Sequence, residues 1–494
     1  MRGKSFNFLT TLATHFSIDN ALSVLPKVGP MVLLESQLNE HRESQYHWIA
    51  GVPVGEIMVY KERLWVAGTI AYTLLQVFPS LDWTVMQGTT QRTLQSKLDD
   101  KFSQYESGQT SSREKFIWYS VLLDNIDLWS ALKIAQKDSW WFGYLGYDLK
   151  NLIENLKSGH PELYEAADLW FMEPGILAKL PTSKKVNNHE NKMEWLKGKQ
   201  RWTELQQHFM GSSSESQEFS ISPLEGLSKE RYIRTIKAVK EDIHEGDYYE
   251  MNFSHALKYT FKGDPSTLYR AMREYGPVPF TSYFNYELPS GLGVQVCSAS
   301  PERYLAKRGH HLWSEPIKGT LVRNQVDELE RIKGELLGLK NKAEHLMIVD
   351  LVRNDLHRVG QKSSVYVEPI FEVQSFRTVH QLVSKVHAKI APNYTSFDAI
   401  RYSFPMGSMT GAPKIAAMQA IERYESYKRS IYSGAIGYLS PTDDFDFNVI
   451  IRSAIIQSDQ LFYPVGGAIT SDSDPELEWQ ETLLKAAALE RVIG

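Results

Sequence analysis

The sequence predicts an α+β fold, with large antiparallel β-sheets packed together and covered by helices, on three observations. Short apolar and aromatic runs of strand length recur along the chain. Tyr283–Tyr286 and Gly293–Cys297 flank Pro289-Ser290-Gly291, a hairpin signal that makes neighbouring strands antiparallel. The helical segments interrupt the strands irregularly, without the strand–helix alternation of a parallel sheet.

The elements follow in order. Val28-Gly29-Pro30 turns into the apolar strand Met31–Ser36, which ends on the polar pair Glu35 and Ser36. Gln45–Ala50 reads as a second, aromatic strand, and Glu56–Tyr60 suggests more sheet. Trp140–Asp148 is a dense aromatic run with two glycines; such density builds core, and a small ligand can also sit among the rings. Between Thr182 and Pro223 the composition turns charged and serine-rich, including Gly211–Glu218, which reads as solvated helix plus flexible connection. The chain is therefore divided into an N-terminal region 1–181, a polar connection 182–223 and a C-terminal region 224–494.

Beyond that boundary Ser228 can cap a helix whose apolar positions Tyr232, Ile236, Val239 and Ile243 recur at helical spacing. It stops at Gly246-Asp247, and Tyr248–Leu257 reads as a strand. Glu344–Asp355 is helical with Glu344 near its start, and Gly407–Lys414 leads into a helix with Ile415, Met418 and Ile421 on one side. Phe447–Ile456 is too apolar for an exposed strand, and Pro475–Lys485 opens the last helix.

The bulk numbers narrow the function. With 42% hydrophobic and 23% charged residues the chain is an ordinary globular protein. A net charge of -5 with mixed signs leaves no electrostatic footprint for nucleic acid. The single cysteine, Cys297, excludes an internal disulfide framework and any cysteine-rich metal site. No run approaches a membrane span, and Thr10, Thr11, Thr14 and His15 interrupt any signal-peptide core, so a cytoplasmic protein is expected.

Several residues carry chemistry. Lys318, in Pro316-Ile317-Lys318-Gly319-Thr320, is either an exposed strand lysine or a desolvated amine that loses its proton and attacks carbon. Glu344 at a helix start is either a dipole-favoured surface group or a ligand. Glu478 and Glu481 share one helix face with Lys485 a turn beyond, which suits a salt-bridge ladder or a pair of carboxylates for a hard cation such as Mg²⁺. Arg452 lies in an apolar run, where a charge needs an anionic ligand or an internal ion pair. The amides of Gly407–Lys414 suit an anion, and Gly466-Gly467 allows either a close backbone approach to a ligand or a tight turn. His380 and Glu302 are isolated acid–base candidates.

Taken in order, SASPERYL, PIKGT, EHLMIVDLVRND, VHQLVS, GSMTGAPK, YSGAIGYL, IIRSAII and the final EWQET resemble the chorismate-utilising enzymes, over roughly Ser228 to the C-terminus. LLES and WWFGYLGYD resemble the N-terminal region of the aminating members more weakly. The resemblance implies Mg²⁺ held by Glu344 and Glu481 with Glu478 close. It implies that Arg452, Lys485 and the backbone at Gly467 and Ala468 hold chorismate, with Tyr432, Ser408, Thr320 and Glu250 among the substrate-binding positions. Glu302 matches the general acid at the departing C4 hydroxyl, and His380 lies by the ring. Lys318 matches the branch in which the lysine adds at C2 and ammonia then enters at C4, giving 4-amino-4-deoxychorismate on the way to para-aminobenzoate and folate.

Two positions depart from the family pattern. Glu250 stands where aminating members carry glutamine and isochorismate-forming members lysine, and Ala468 replaces a glycine. Cys297 is in no glutaminase-like setting, so the resemblance implies ammonia supplied by a separate glutamine amidotransferase subunit. The LLES element resembles a tryptophan-binding feature, which makes Glu35 and Ser36 candidates for that ligand and keeps anthranilate formation as the alternative activity. A non-catalytic scaffold that keeps the fold is the third reading.

Overall fold

The computed structural model describes residues 17–36, 46–87, 90–93, 117–182, 193–209, 219–275, 278–323, 328–375 and 379–493. The expected strands form, with one merger. Strand β1 is Met31–Glu35, whereas the two runs after it belong to a single strand, β2 (Tyr46–Tyr60), which bends where Val52 takes φ +51° before Pro53. β2 pairs along most of its length with β4 (Leu169–Pro181), and β4 pairs in turn with β3 (Trp141–Leu145).

The C-terminal region begins with helix α1 (Lys229–Glu245), whose N-cap Ser228 accepts from the Arg231 amide. Gly246 ends it at φ +91°, a left-handed conformation that a side chain resists. Strand β5 (Glu250–Lys262) follows, then the hairpin β6 (Phe280–Glu287) and β7 (Gly293–Ser300). The apolar run at 447–456 is two strands, β12 (Phe445–Val449) and β13 (Ser453–Gln457), with Arg452 in the connection at φ +51°. β11 (Ala435–Leu439) and β14 (Gln460–Ile469) complete the large antiparallel assembly.

A second sheet is small. It consists of β8 (Ile317–Val322), β9 (Glu372–Ser375) and β10 (Val379–Val383), with β10 in the middle. Lys318 is carried on it, opposite Leu382, and the register slips between Lys318 and Thr320. Helices α2 (Leu339–His357), α3 (Lys414–Tyr424) and α4 (Pro475–Ile493) pack around the sheets.

Strands from both sides of the polar connection share the large sheet. β1 lies between β2 and β6, and β3 pairs with β11 across Gly143 and Gly437. A Cβ on Gly143 would meet the Trp170 carbonyl oxygen at 2.0 Å, so this crossing requires glycine. Trp170 stacks on Tyr286 with ring centroids 4.8 Å apart, and the Tyr144 and Tyr286 hydroxyls share a 2.6 Å hydrogen bond. Each such aromatic pair contributes about 0.5–1.5 kcal/mol beyond its buried area. The run 140–148 is thus mainly core, with Trp141, Phe142, Tyr144, Leu145 and Tyr147 buried.

The polar connection is more ordered than its composition suggests. Glu194–Lys197 and Ser220–Glu225 are strands paired to β4 and β5, and Lys199–Phe209 is a helix. The expected flexible run Gly211–Glu218 lies outside the described residues.

Candidate active site

Lys318 is not the exposed strand lysine that its local sequence allows. Its side chain is 18% exposed, and Nζ lies 3.4 Å from Glu250 Oε1 and 3.5 Å from Glu344 Oε2. Burial alone would lower its pKa; the Glu250, Glu344 and Glu481 carboxylates reverse this and hold it above the ordinary lysine value. These carboxylates favour the protonated amine.

Glu302 follows β7 and is buried, accepting a 2.6 Å hydrogen bond from Ser408 Oγ. Burial pushes its pKa up to about 7, although the Ser408 bond and the Lys318 and Arg452 charges pull the other way. A carboxyl group that keeps a share of its protons near neutrality is suited to give one to a leaving oxygen. Ser408 is in the turn Gly407–Met409, and its carbonyl accepts from Asn252 Nδ2 at 3.1 Å.

Sequence reasoning missed what holds this turn. Arg429 is buried, ion-paired with Glu425 at 2.6 Å, and donates to the Met409 and Asn252 carbonyls, each at 2.6 Å. One guanidinium thereby fixes the Ser408 turn against β5. Glu425 and Arg429 are four apart, which in sequence is indistinguishable from a surface pair.

Helix α4 supplies the opposite wall. Glu478 Oε1 accepts from Ser473 Oγ at 2.7 Å, and burial followed by the nearby Glu481 raises the Glu478 pKa despite that bond. Lys485 Nζ lies 2.7 Å from Glu481 Oε1 and donates to the Gly466 carbonyl at 2.8 Å. Gly466 and Gly467 are within β14, so the tight-turn reading falls. A Cβ on Gly467 would sit 3.3 Å from Glu478 Oε2, 3.8 Å from Lys485 Nζ and 4.0 Å from Glu481 Oε1, so glycine keeps a small cradle open at these groups. Ala468, beside it, lies opposite Asn252 in the sheet.

Glu344 is the sixth residue of α2, whose first turn carries no acid, so a helix-dipole role is excluded. Glu344 and Glu481 both act on Lys318, and Glu478 feels both Glu481 and Lys318. Among the described residues no three His, Cys, Asp or Glu side chains form a ready-made metal cluster. The donor set is all carboxylate, as a hard cation requires, and the Gly467 cradle leaves room beside it.

Arg452 is partly buried and makes no ion pair or hydrogen bond through its side chain among the described residues. Desolvation lowers its pKa, so the guanidinium is held at a cost that an anion would relieve. The internal ion pair is not found. Near it, Tyr463 Oη is buried without a partner, and Tyr432 is buried with its phenol pushed up to about 12, which keeps it a donor. Arg452→Ala is expected to weaken binding of an anionic ligand here by roughly 10- to 100-fold, the range for losing a charge-assisted contact. Its thermal midpoint should not fall, because an uncompensated charge is removed; steady-state kinetics and calorimetry check both.

His380 is buried on β10, two residues from Leu382, and Nδ1 shares a 2.7 Å hydrogen bond with Ser375 Oγ. Thr320 is on β8 two residues from Lys318; its side chain lies outside what is described.

The pair at the end of β1 belongs elsewhere. Glu35 accepts from Tyr269 Oη and lies 3.6 Å from Arg273 Nη1, while Ser36 Oγ is buried without a partner. Glu35 lines a cavity of about 640 Å³ with Trp48, Trp140, Phe280, Trp313 and Tyr438 among its walls.

Comparison with known proteins decides the family. The model for the chorismate binding enzyme matches residues 83–491. The chain belongs to this family. The chorismate binding enzymes most similar to it include aminodeoxychorismate synthase of Streptomyces griseus, 40% identical over 268 residues, covering 54% of this chain and 36% of that protein. Anthranilate synthase component 1 of Aquifex aeolicus is 36% identical over 269 residues, covering 54% of this chain and 53% of that one. The chain thus spans about a third to a half of the length of these two relatives. Among solved structures, anthranilate synthase component I from Streptococcus pneumoniae has the same fold, with a TM-score of 0.65 at 23% identity over 92% of this chain and 93% of the other.

Proposed function

We propose that this chorismate binding enzyme converts chorismate and ammonia to 4-amino-4-deoxychorismate through a covalent bond to Lys318. The observation that carries the reading is Lys318 Nζ inside the site, among Glu250, Glu344 and Glu481, with Glu302 feeling its charge. In its unprotonated form the amine adds to C2 of the ring; the ring double bonds shift, the C4–O bond breaks, and Glu302 gives its proton to the hydroxyl, which leaves as water. Ammonia then forms the C4–N bond, the double bonds shift back, the C2–Nζ bond breaks with its electron pair returning to Lys318, and the new C4 ammonium returns a proton to Glu302. The net change is chorismate plus ammonia to product plus water.

Arg452, with Tyr432 near it, receives a substrate anion, and Lys485 with the Gly467 backbone receives another. Glu344 and Glu481, with Glu478 beside them, would hold Mg²⁺, which supplies charge neutralisation for a substrate carboxylate. His380 lines the ring side from β10. At the cavity beside Glu35, the aromatic walls support tryptophan as its ligand.

Cys297 supports a separate source of ammonia. It is buried, its Sγ donates to the Pro265 carbonyl, and burial pushes the thiol far up, so it is no nucleophile. The chain therefore works with a glutamine amidotransferase subunit. The deciding experiment incubates the purified chain with chorismate, Mg²⁺ and either ammonium or glutamine, and identifies the product by chromatography. Aminodeoxychorismate from ammonium and almost none from glutamine is expected. Fluorescent anthranilate instead would show the other aminating activity, unchanged chorismate a scaffold, and equal use of glutamine would remove the need for a partner.

A further inference from the structure

Lys318 and Glu344 meet from two separate elements, the second residue of β8 and the sixth of α2. On the buried side of α2, Ile348, Val349 and Val352 supply apolar packing, which is non-directional and does not by itself fix the rotation of a helix. Side-chain tips lie about 5–6 Å from a helix axis, so a turn of about 20° would move the Glu344 carboxylate by roughly 2 Å. That is enough to part a pair standing 3.5 Å apart.

A directional contact resists that turn. His345, the neighbour of Glu344, and Ser384, the residue after β10, are both fully buried, and His345 Nε2 shares a 2.7 Å hydrogen bond with Ser384 Oγ. Ser384 is itself held on two other sides. Its Oγ accepts from the Phe371 amide at 3.0 Å, and its amide donates at 3.3 Å to the carbonyl of Pro316, two residues before Lys318. Ile317 opposite Val383 then carries the contact into the ladder of β8 with β10. Hydrogen bonds thus run from the residue beside Glu344, through one serine, to the backbone that leads into Lys318.

We infer that Ser384 is a positioning residue, whose bond to His345 sets the rotation of α2 and so keeps Glu344 against Lys318. It carries no chemistry of its own and acts through that pair. Its effect on turnover rests on the proposed amination, whereas the contact it holds does not.

The test uses the full chain as wild type, Ser384→Ala, His345→Leu and the double variant. Without substrate, a water-soluble carbodiimide joins an amine to a carboxylate in contact with it. Peptide mapping by mass spectrometry then gives the Lys318–Glu344 cross-link relative to that of Lys485 with Glu481, a 2.7 Å pair on α4. Either single variant should lower this ratio about fivefold, and the double variant should go no lower, because the same bond has already been removed. An unchanged ratio in Ser384→Ala, losses that add in the double variant, or no Lys318–Glu344 cross-link in wild type would each overturn the inference. Should His345→Leu not fold by circular dichroism, Ser384→Ala decides alone. With chorismate and ammonium, kcat of Ser384→Ala should fall by roughly 10- to 100-fold, as expected for a reacting group displaced by an ångström or so. The chorismate KM should stay within about twofold of wild type, since Arg452 and Lys485 are carried on other elements. A lower cross-link ratio with wild-type kcat would keep the role of Ser384 and overturn the reading in which Lys318 and Glu344 act together in amination.

Discussion

Lys318→Ala is expected to abolish 4-amino-4-deoxychorismate formation while chorismate still binds. The side chain removed is the nucleophile in the proposed sequence, so no conservative route remains, whereas Arg452 and Lys485 persist to hold the substrate's anionic groups. Lys318→Arg sharpens the result. It restores a cation among Glu250, Glu344 and Glu481 without an amine that can attack, and it should be equally inactive. Product chromatography after long incubation and calorimetric titration with chorismate measure the two halves of the expectation. Undiminished product from the alanine variant would sink the covalent route, and activity restored by arginine would show that Lys318 acts only through its charge.

Glu302→Gln should lower kcat by roughly 10²- to 10⁴-fold, the range for a positioned general acid. The pH dependence carries more information. Burial raises the Glu302 pKa to about 7, so the proton-bearing form needed for hydroxyl departure is lost as pH rises through that value. In wild type, kcat/KM should fall on the alkaline side with an apparent pKa near 7, because this profile reports the free enzyme. The limb should vanish in the glutamine variant, whose residual rate cannot titrate at this position. Ser408→Ala removes the 2.6 Å hydrogen bond that favours the ionised carboxylate, so its limb should move to higher pH. A limb that persists in Glu302→Gln would assign it to another group.

How much of this was visible in the chain differs residue by residue, for physical reasons. Periodicity and punctuation located most elements: Ser228 and Gly246 do cap α1, and Pro289-Ser290-Gly291 does turn a hairpin. Arg452 was conspicuous as a charge in an apolar run, but the break that places it in a connection at φ +51° leaves no mark in hydropathy. Lys318 was visible as a candidate, while its charge state depends on Glu250, Glu344 and Glu481 arriving from a strand and two helices far apart in sequence. Asn252 was overlooked although the two-residue period of a strand links it to Glu250. Arg429 could not be found at all, because a buried ion pair and a surface pair have the same spacing. Long-range pairing was equally silent: nothing in Met31–Glu35 says that its partner is Phe280–Glu287.

That last pairing has a kinetic side. β1 is hydrogen-bonded between β2 and β6, with Met31 opposite Asn285, 254 residues away. At ordinary synthesis rates roughly 13–50 s separate the emergence of the two strands from the ribosome. Throughout that interval one side of β1 has no strand to pair with, and a bare strand edge invites pairing with other chains. Until β6 has been made, newly synthesised chains are therefore expected to be more prone to aggregate than the folded protein, which aggregation assays on chains released before and after residue 287 would check.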